Sequence, residues 1–128
     1  MTTELTMLLY AVLLAVVQLF LYAFPGVLQT GTDYAAGPRD KEQRITGVAG
    51  RLKRAYFNHI ETLPLFAIAV FTSHITGANN GTTALAAQAY LAARIAYVPA
   101  YAFGIPWIRS LIWFVALVAI LVIVFIAL

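Results

Sequence analysis

The chain has no cysteine, which excludes disulfides, thiolate-bound metals and a cysteine nucleophile. Charge is almost as scarce. Asp, Glu, Lys and Arg make up 10% of the residues, against about 25% in soluble domains. Two histidines and five scattered acids leave little from which to build a metal site, and none is expected. What fills the chain is apolar: 62% of the residues, gathered in long blocks rather than amphipathic stripes. This pattern predicts an all-α integral membrane protein in contact with the lipid bilayer, with residues 1–128 forming one domain.

Four spans are expected. Leu5 to Phe24 is uncharged over twenty residues, about the length that crosses a bilayer. It lacks a basic leader and a small-residue cleavage site, and Glu4 has the wrong sign, so it reads as a span rather than a signal peptide. Pro25-Gly26 is expected to end this helix, and Gln29 to Thr46 to form a polar loop. A second helix is predicted over about 50–75, with Pro64 as a kink. The turn signal Gly77-Ala-Asn-Asn-Gly81 separates it from a third over about 82–103. Gly104-Ile-Pro106 breaks the chain before a fourth over about 107–128.

Basic residues set the expected orientation. Six of the eight Lys and Arg lie between Arg39 and Arg54, interleaved with Asp40 and Glu42. This cluster is a topology signal, and no nucleic-acid partner is expected. With Arg109, seven of the eight fall in the loops after helices one and three, and the Gly77–Gly81 turn has none. The positive-inside rule then puts those loops in the cytoplasm and both termini outside.

The most informative stretch is Arg51-Leu-Lys-Arg-Ala-Tyr-Phe-Asn-His-Ile-Glu61. On a helix, Arg51, Arg54, Asn58 and Glu61 fall within roughly one quarter of the circumference. A charge deep in hydrocarbon costs at least about 2.5–3.5 kcal/mol, so this stripe must face protein, water or a ligand. On the third helix Arg94, Tyr97 and Tyr101, spaced three and four apart, share one face. Glu61 is the only acid within a predicted span and the natural partner of Arg94. Two readings stay open. In the first, Arg54, Asn58, Glu61 and Arg94 form a buried network that fixes helix packing; in the second, the excess of Arg51, Arg54, Arg94 and Arg109 over Glu61 calls for an anionic ligand whose ammonium Glu61 would accept. His59 lies off the stripe and His74 at the far end of its helix, so neither reads as catalytic.

The run Arg51-x-x-Arg54-Ala-x-x-Asn58-x-x-Glu61-x-x-Pro64-Leu-Phe resembles the signature of the MAPEG family, the membrane-associated proteins in eicosanoid and glutathione metabolism. Arg94-x-x-Tyr97-x-x-x-Tyr101 and Arg109-Ser110 resemble its later motifs, in the right order. Gly37-Pro-Arg39-Asp40 is similar to bacterial branches of the family. The resemblance implies a four-helix bundle assembled as a homotrimer in a bacterial inner membrane, with glutathione as co-substrate between subunits. Arg54, Asn58 and Glu61 would then hold the γ-glutamyl end, Arg94, Tyr97 and Tyr101 would line the same pocket, and Arg51 would belong to the same glutathione site. Arg109 and Ser110 would sit near the sulfur, where a guanidinium favours thiolate. One departure is plain: Ala23 to Ala36 has no Lys or Arg, although family enzymes carry a cation near the end of helix one. Arg39, Lys41 or Gln29 would have to serve instead.

The function so implied is a glutathione-dependent transferase or peroxidase acting on a lipophilic electrophile from the bilayer. The alternatives are a non-enzymatic member binding another anion or lipid head group, and a structural or accessory membrane protein.

Overall fold

The structure is a computed structural model that describes all 128 residues. It is all-helical: α1 (Thr3–Thr30), α2 (Thr32–Ala36), α3 (Gly47–Ile75), α4 (Gly81–Ala102) and α5 (Pro106–Ala127). Four of these are long, and α2 is a five-residue turn of helix inside the expected loop.

The first helix does not stop at Pro25-Gly26. Proline removes one backbone donor, but Gly26 lets Ile45 pack so closely that a Cβ there would lie 2.6 Å from Ile45 Cδ1. That contact keeps the following turn folded, and Thr30 Oγ1 donates to the Gly26 carbonyl at 3.1 Å. The helix ends at Gly31, whose φ of 90° is ill suited to a side chain and whose N–H donates to Val27 O at 2.7 Å. Pro64 likewise lies within α3 and Pro99 within α4. The start of α4 is fixed more strongly: Asn80 accepts from the N–H groups of Thr82 and Thr83 and its own N–H donates to Thr83 Oγ1, a capping box.

The layout explains why the long helices differ in composition. α3 and α4 pack on each other; α1 lies against both, α5 lies against both, and α1 does not touch α5. The two outer helices are the two apolar enough to cross a membrane, with mean hydropathy 2.3 for α1 and 3.1 for α5. The inner pair carries the polar stripe and falls below that apolarity. The core joins Leu8 and Ala11 of α1 to Phe66, Ala69 and Val70 of α3, Ala86, Ala87 and Tyr90 of α4, and Ala116, Ala119 and Ile123 of α5. So many alanines at the seams let helices approach closely, as membrane packing requires where no hydrophobic driving force separates helix from lipid. Phe66 stacks on Tyr90 at 3.9 Å, and Tyr90 Oη shares a hydrogen bond with Thr62 Oγ1 at 3.0 Å. Large apolar side chains cover the outside, including Leu13, Val17, Phe20, Phe114 and Phe125. In water such a surface would drive aggregation.

Two cross-links set the ends of the bundle. Arg51 Nε donates to Ala102 O at 2.9 Å, tying the basic start of α3 to the end of α4. At the other end Thr83 Oγ1 donates to Glu4. The two basic segments therefore lie at one end, and the N-terminus and the uncharged Gly77–Gly81 turn at the other.

Candidate functional site

The stripe on α3 and the face of α4 meet inside the basic half of the bundle. Arg94 is 1% exposed, and its Nη1 donates to Asn58 Oδ1 at 3.0 Å. Its Nε and Nη2 have no partner. The guanidinium carbon sits 4.5 Å from the centre of the Tyr97 ring. Tyr97 meets Tyr101 edge to face at 5.6 Å. The Tyr101 ring then receives two further cations, Arg109 with Cζ at 4.7 Å and Arg54 with Cζ at 5.9 Å. Asn58, Arg94, Tyr97, Tyr101, Arg54 and Arg109 thus form one unbroken chain of contacts across α3, α4 and α5.

This arrangement has a clear electrostatic character. A ring face attracts a guanidinium through its quadrupole, worth about 0.5–2 kcal/mol. Such stacking uses the flat face of arginine and leaves its in-plane N–H fork free for a carboxylate. Three guanidinium groups are held in this way. Glu61, the expected counter-ion of Arg94, does not serve as one: the guanidinium bonds Asn58 alone, and Glu61 is exposed on the outer edge of the stripe. The stripe reaches Arg94 through Asn58, while Glu61, three residues further along α3, is exposed. The seam is cationic, and its buried Arg94 is paired with no carboxylate.

Two of the remaining residues expected at the site bond backbone carbonyls. Arg51 is engaged with the Ala102 carbonyl. Ser110 Oγ donates one turn back to Pro106 O at 3.1 Å, as an exposed helical hydroxyl does. Of the substitutes for a helix-one cation, Gln29 is committed elsewhere: its side chain donates to Thr46 O at 3.0 Å and accepts from Thr46 N at 2.9 Å, closing the loop. Lys41 is exposed. Arg39 donates through Nε and Nη2 to Ala35 O at 3.2 and 2.7 Å.

Three buried polar residues lie outside the expected site. His59 is fully buried, with Nε2 2.8 Å from Ala11 O and Nδ1 unpartnered. Gln18 is 2% exposed, and neither its Nε2 nor its Oε1 has a partner. Glu4 lies inside α1 and is 3% exposed, so Glu61 is not the only acid within a helix of the bundle. An amide in the middle of an otherwise apolar span was the available signal for Gln18. Groups of this kind are satisfied by internal water or a ligand far more often than left bare.

An apolar groove of about 380 Å³ runs between α4 and α5. It begins at Leu111 and Phe114, just past Arg109 in the helix, and continues to Val118 and Val122 against Leu85 and Ala89.

Fold and seam together define a class: a helical membrane bundle with an arginine–tyrosine seam at one end. The MAPEG family model matches residues 7–128, essentially the whole chain, and the chain belongs to the MAPEG family. It is an integral membrane protein of this glutathione and eicosanoid metabolism family. No curated protein matches it.

Proposed function

We propose that this protein is a glutathione-dependent transferase or peroxidase for lipophilic electrophiles, working as a homotrimer with glutathione held between subunits. One observation carries the reading: the unbroken contact chain from Asn58 through Arg94, Tyr97 and Tyr101 to Arg109 holds three guanidinium groups, and Arg94 bonds no carboxylate. Glutathione supplies two carboxylates for such a seam and an ammonium for Glu61. Arg54 and Glu61 are exposed on the single chain, at a level where lipid would otherwise meet them. A neighbouring subunit covering that edge removes the cost of facing charge to hydrocarbon.

The chemistry follows from Arg109. A free thiol with pKa near about 8.5 is mostly protonated at neutral pH, and a nearby guanidinium favours the thiolate. The sulfur forms a bond to the electrophilic carbon, the leaving group departs with the bonding pair, and the thiol proton goes to solvent. The groove starting at Leu111 and Phe114 supports delivery of the electrophile from the bilayer to that end of α5. The basic ends, and so the seam, face the cytoplasm of a bacterial inner membrane in this reading.

Turnover of a lipophilic aryl halide with glutathione by protein in detergent tests the activity; no rate above the uncatalysed reaction would reject it. A native mass of three subunits tests the assembly, and a monodisperse monomer would reject that part. The commitment of Gln29 to Thr46 favours one other reading, in which the same seam holds a different anion without catalysis.

A further inference from the structure

A second cavity, of about 760 Å³, lies within one subunit between the C-terminal part of α1, α2, the 37–46 segment and the first turns of α3. Asn58, Glu61, Arg94, Tyr97, Tyr101 and Arg109 do not line it; Arg54 alone is common to both. Its walls are of two kinds. Leu19, Ala23, Val27 and Phe57 form an apolar side. Leu19 and Phe57 are 37% and 48% exposed, so this side opens onto the apolar exterior of the bundle. The opposite side carries Arg39, Arg44, Lys53 and Arg54 against Glu42, four cations to one acid.

The cationic side is built rather than tethered. Arg39 takes a φ of 56°, in the left-handed region that a non-glycine residue seldom adopts. In that conformation its Nε and Nη2 both reach Ala35 O, which fixes the guanidinium and leaves Nη1 free. Gln43 N donates to Tyr34 Oη at 2.9 Å, and the Gln29–Thr46 pair closes the base of the loop. Cations preorganised beside an apolar wall at the end of a membrane helix match one kind of ligand. A soluble phosphate has no use for the apolar side. A zwitterionic head group brings its own cation into a net positive site.

We propose that this cavity binds one anionic phospholipid from the bilayer, with its phosphate at Arg39, Arg44 and Lys53 and an acyl chain along Leu19, Ala23 and Phe57. The planar fork of arginine suits phosphate oxygens, basic pockets at a membrane surface select anionic head groups, and the volume lies within the usual range of about 300–1,000 Å³ for ligand sites. This site stands whether or not glutathione binds the seam.

Native mass spectrometry of the full chain in a neutral detergent, titrated with phosphatidylglycerol or phosphatidylcholine, tests it. Phosphatidylglycerol should be retained at least tenfold better. Arg39→Ala with Arg44→Ala should bring it down to the phosphatidylcholine level, and Arg39→Lys with Arg44→Lys should keep most of the preference. Equal retention of the two lipids, or an unchanged preference in the double alanine variant, would overturn the proposal. Displacement of phosphatidylglycerol by glycerol phosphate at equal concentration would overturn the bilayer source. Should the double alanine variant fail to fold, Ala23→Trp fills the apolar side and leaves every cation. It should cut phosphatidylglycerol retention severalfold, and full retention would count against the site.

Discussion

Arg94 and Asn58 form the one hydrogen bond of a fully buried guanidinium, Nη1 to Oδ1 at 3.0 Å, with no carboxylate to share the charge. Burying a cation against an amide is a poor solution for stability alone, because a buried charge is costly unless paired. It is a good solution for a site that must meet an anion. The arrangement keeps Arg94 in place while its Nε and Nη2 remain free.

Asn58→Leu should therefore destabilise the protein. A hydrogen bond to a charged group contributes about 1.5–3 kcal/mol, and its loss leaves the guanidinium bare. Thermal denaturation in detergent should show a lower Tm. Asn58→Asp supplies the missing carboxylate and should hold or raise the Tm. An Asn58→Leu protein as stable as the parent would show that the bond is not structural.

Glu61→Gln should do the opposite. The side chain is exposed and does not pair with Arg94, so stability should change by no more than about 0.5 kcal/mol. Glutathione binding should be lost, since a neutral amide cannot hold the ligand ammonium as a carboxylate does. A large drop in Tm with unchanged affinity would place Glu61 in the scaffold.

Arg109→Ala tests catalysis apart from binding. Its guanidinium rests on Tyr101 at 4.7 Å, so the change removes a positioned cation without emptying the core. Conjugation should slow by tenfold or more, at about 1.4 kcal/mol per decade, and glutathione affinity should fall much less. The sign of the pH effect is fixed: without the cation the thiol pKa rises, so the pH–rate profile moves to higher pH. The parent rate and profile in this variant would remove Arg109 from the mechanism.

Two glycines beside Ile45 should respond differently. A Cβ at Gly50 would lie 2.5 Å from the Ile45 carbonyl oxygen, a backbone atom that cannot swing aside. At Gly26 it would meet the mobile tip of the Ile45 side chain. Gly50→Ala should cost about 1–3 kcal/mol through overpacking and Gly26→Ala clearly less, as thermal denaturation would report. Equal costs would mean that the loop bearing Ile45 is free to move.

Much of this is legible in the sequence. The three-and-four spacing in Arg54-x-x-x-Asn58 and Arg94-x-x-Tyr97-x-x-x-Tyr101 placed those side chains on facing stripes, and the structure joins them. The turn at Gly77–Gly81 and the break at Gly104 were equally readable, because glycine there takes φ of 70° and 68°. Pairings were not. Periodicity gives a face but not a level, so the sequence offers Glu61 as the partner of Arg94 where the structure has Asn58. The helix-breaking signal of Pro25 was outweighed by packing of Ile45 on Gly26, a contact nineteen positions away in the sequence. Glu4 stood at the edge of an apolar run, and only the partner Thr83 reveals it as buried.

Calorimetric titration of glutathione into the detergent-purified protein tests the central claim most directly. The seam of Arg54, Asn58, Arg94, Tyr97, Tyr101 and Arg109 predicts saturable binding, abolished by Glu61→Gln and weakened by Arg54→Ala. Absence of binding heat at millimolar glutathione, with a folded protein, or binding indifferent to both substitutions, would contradict it.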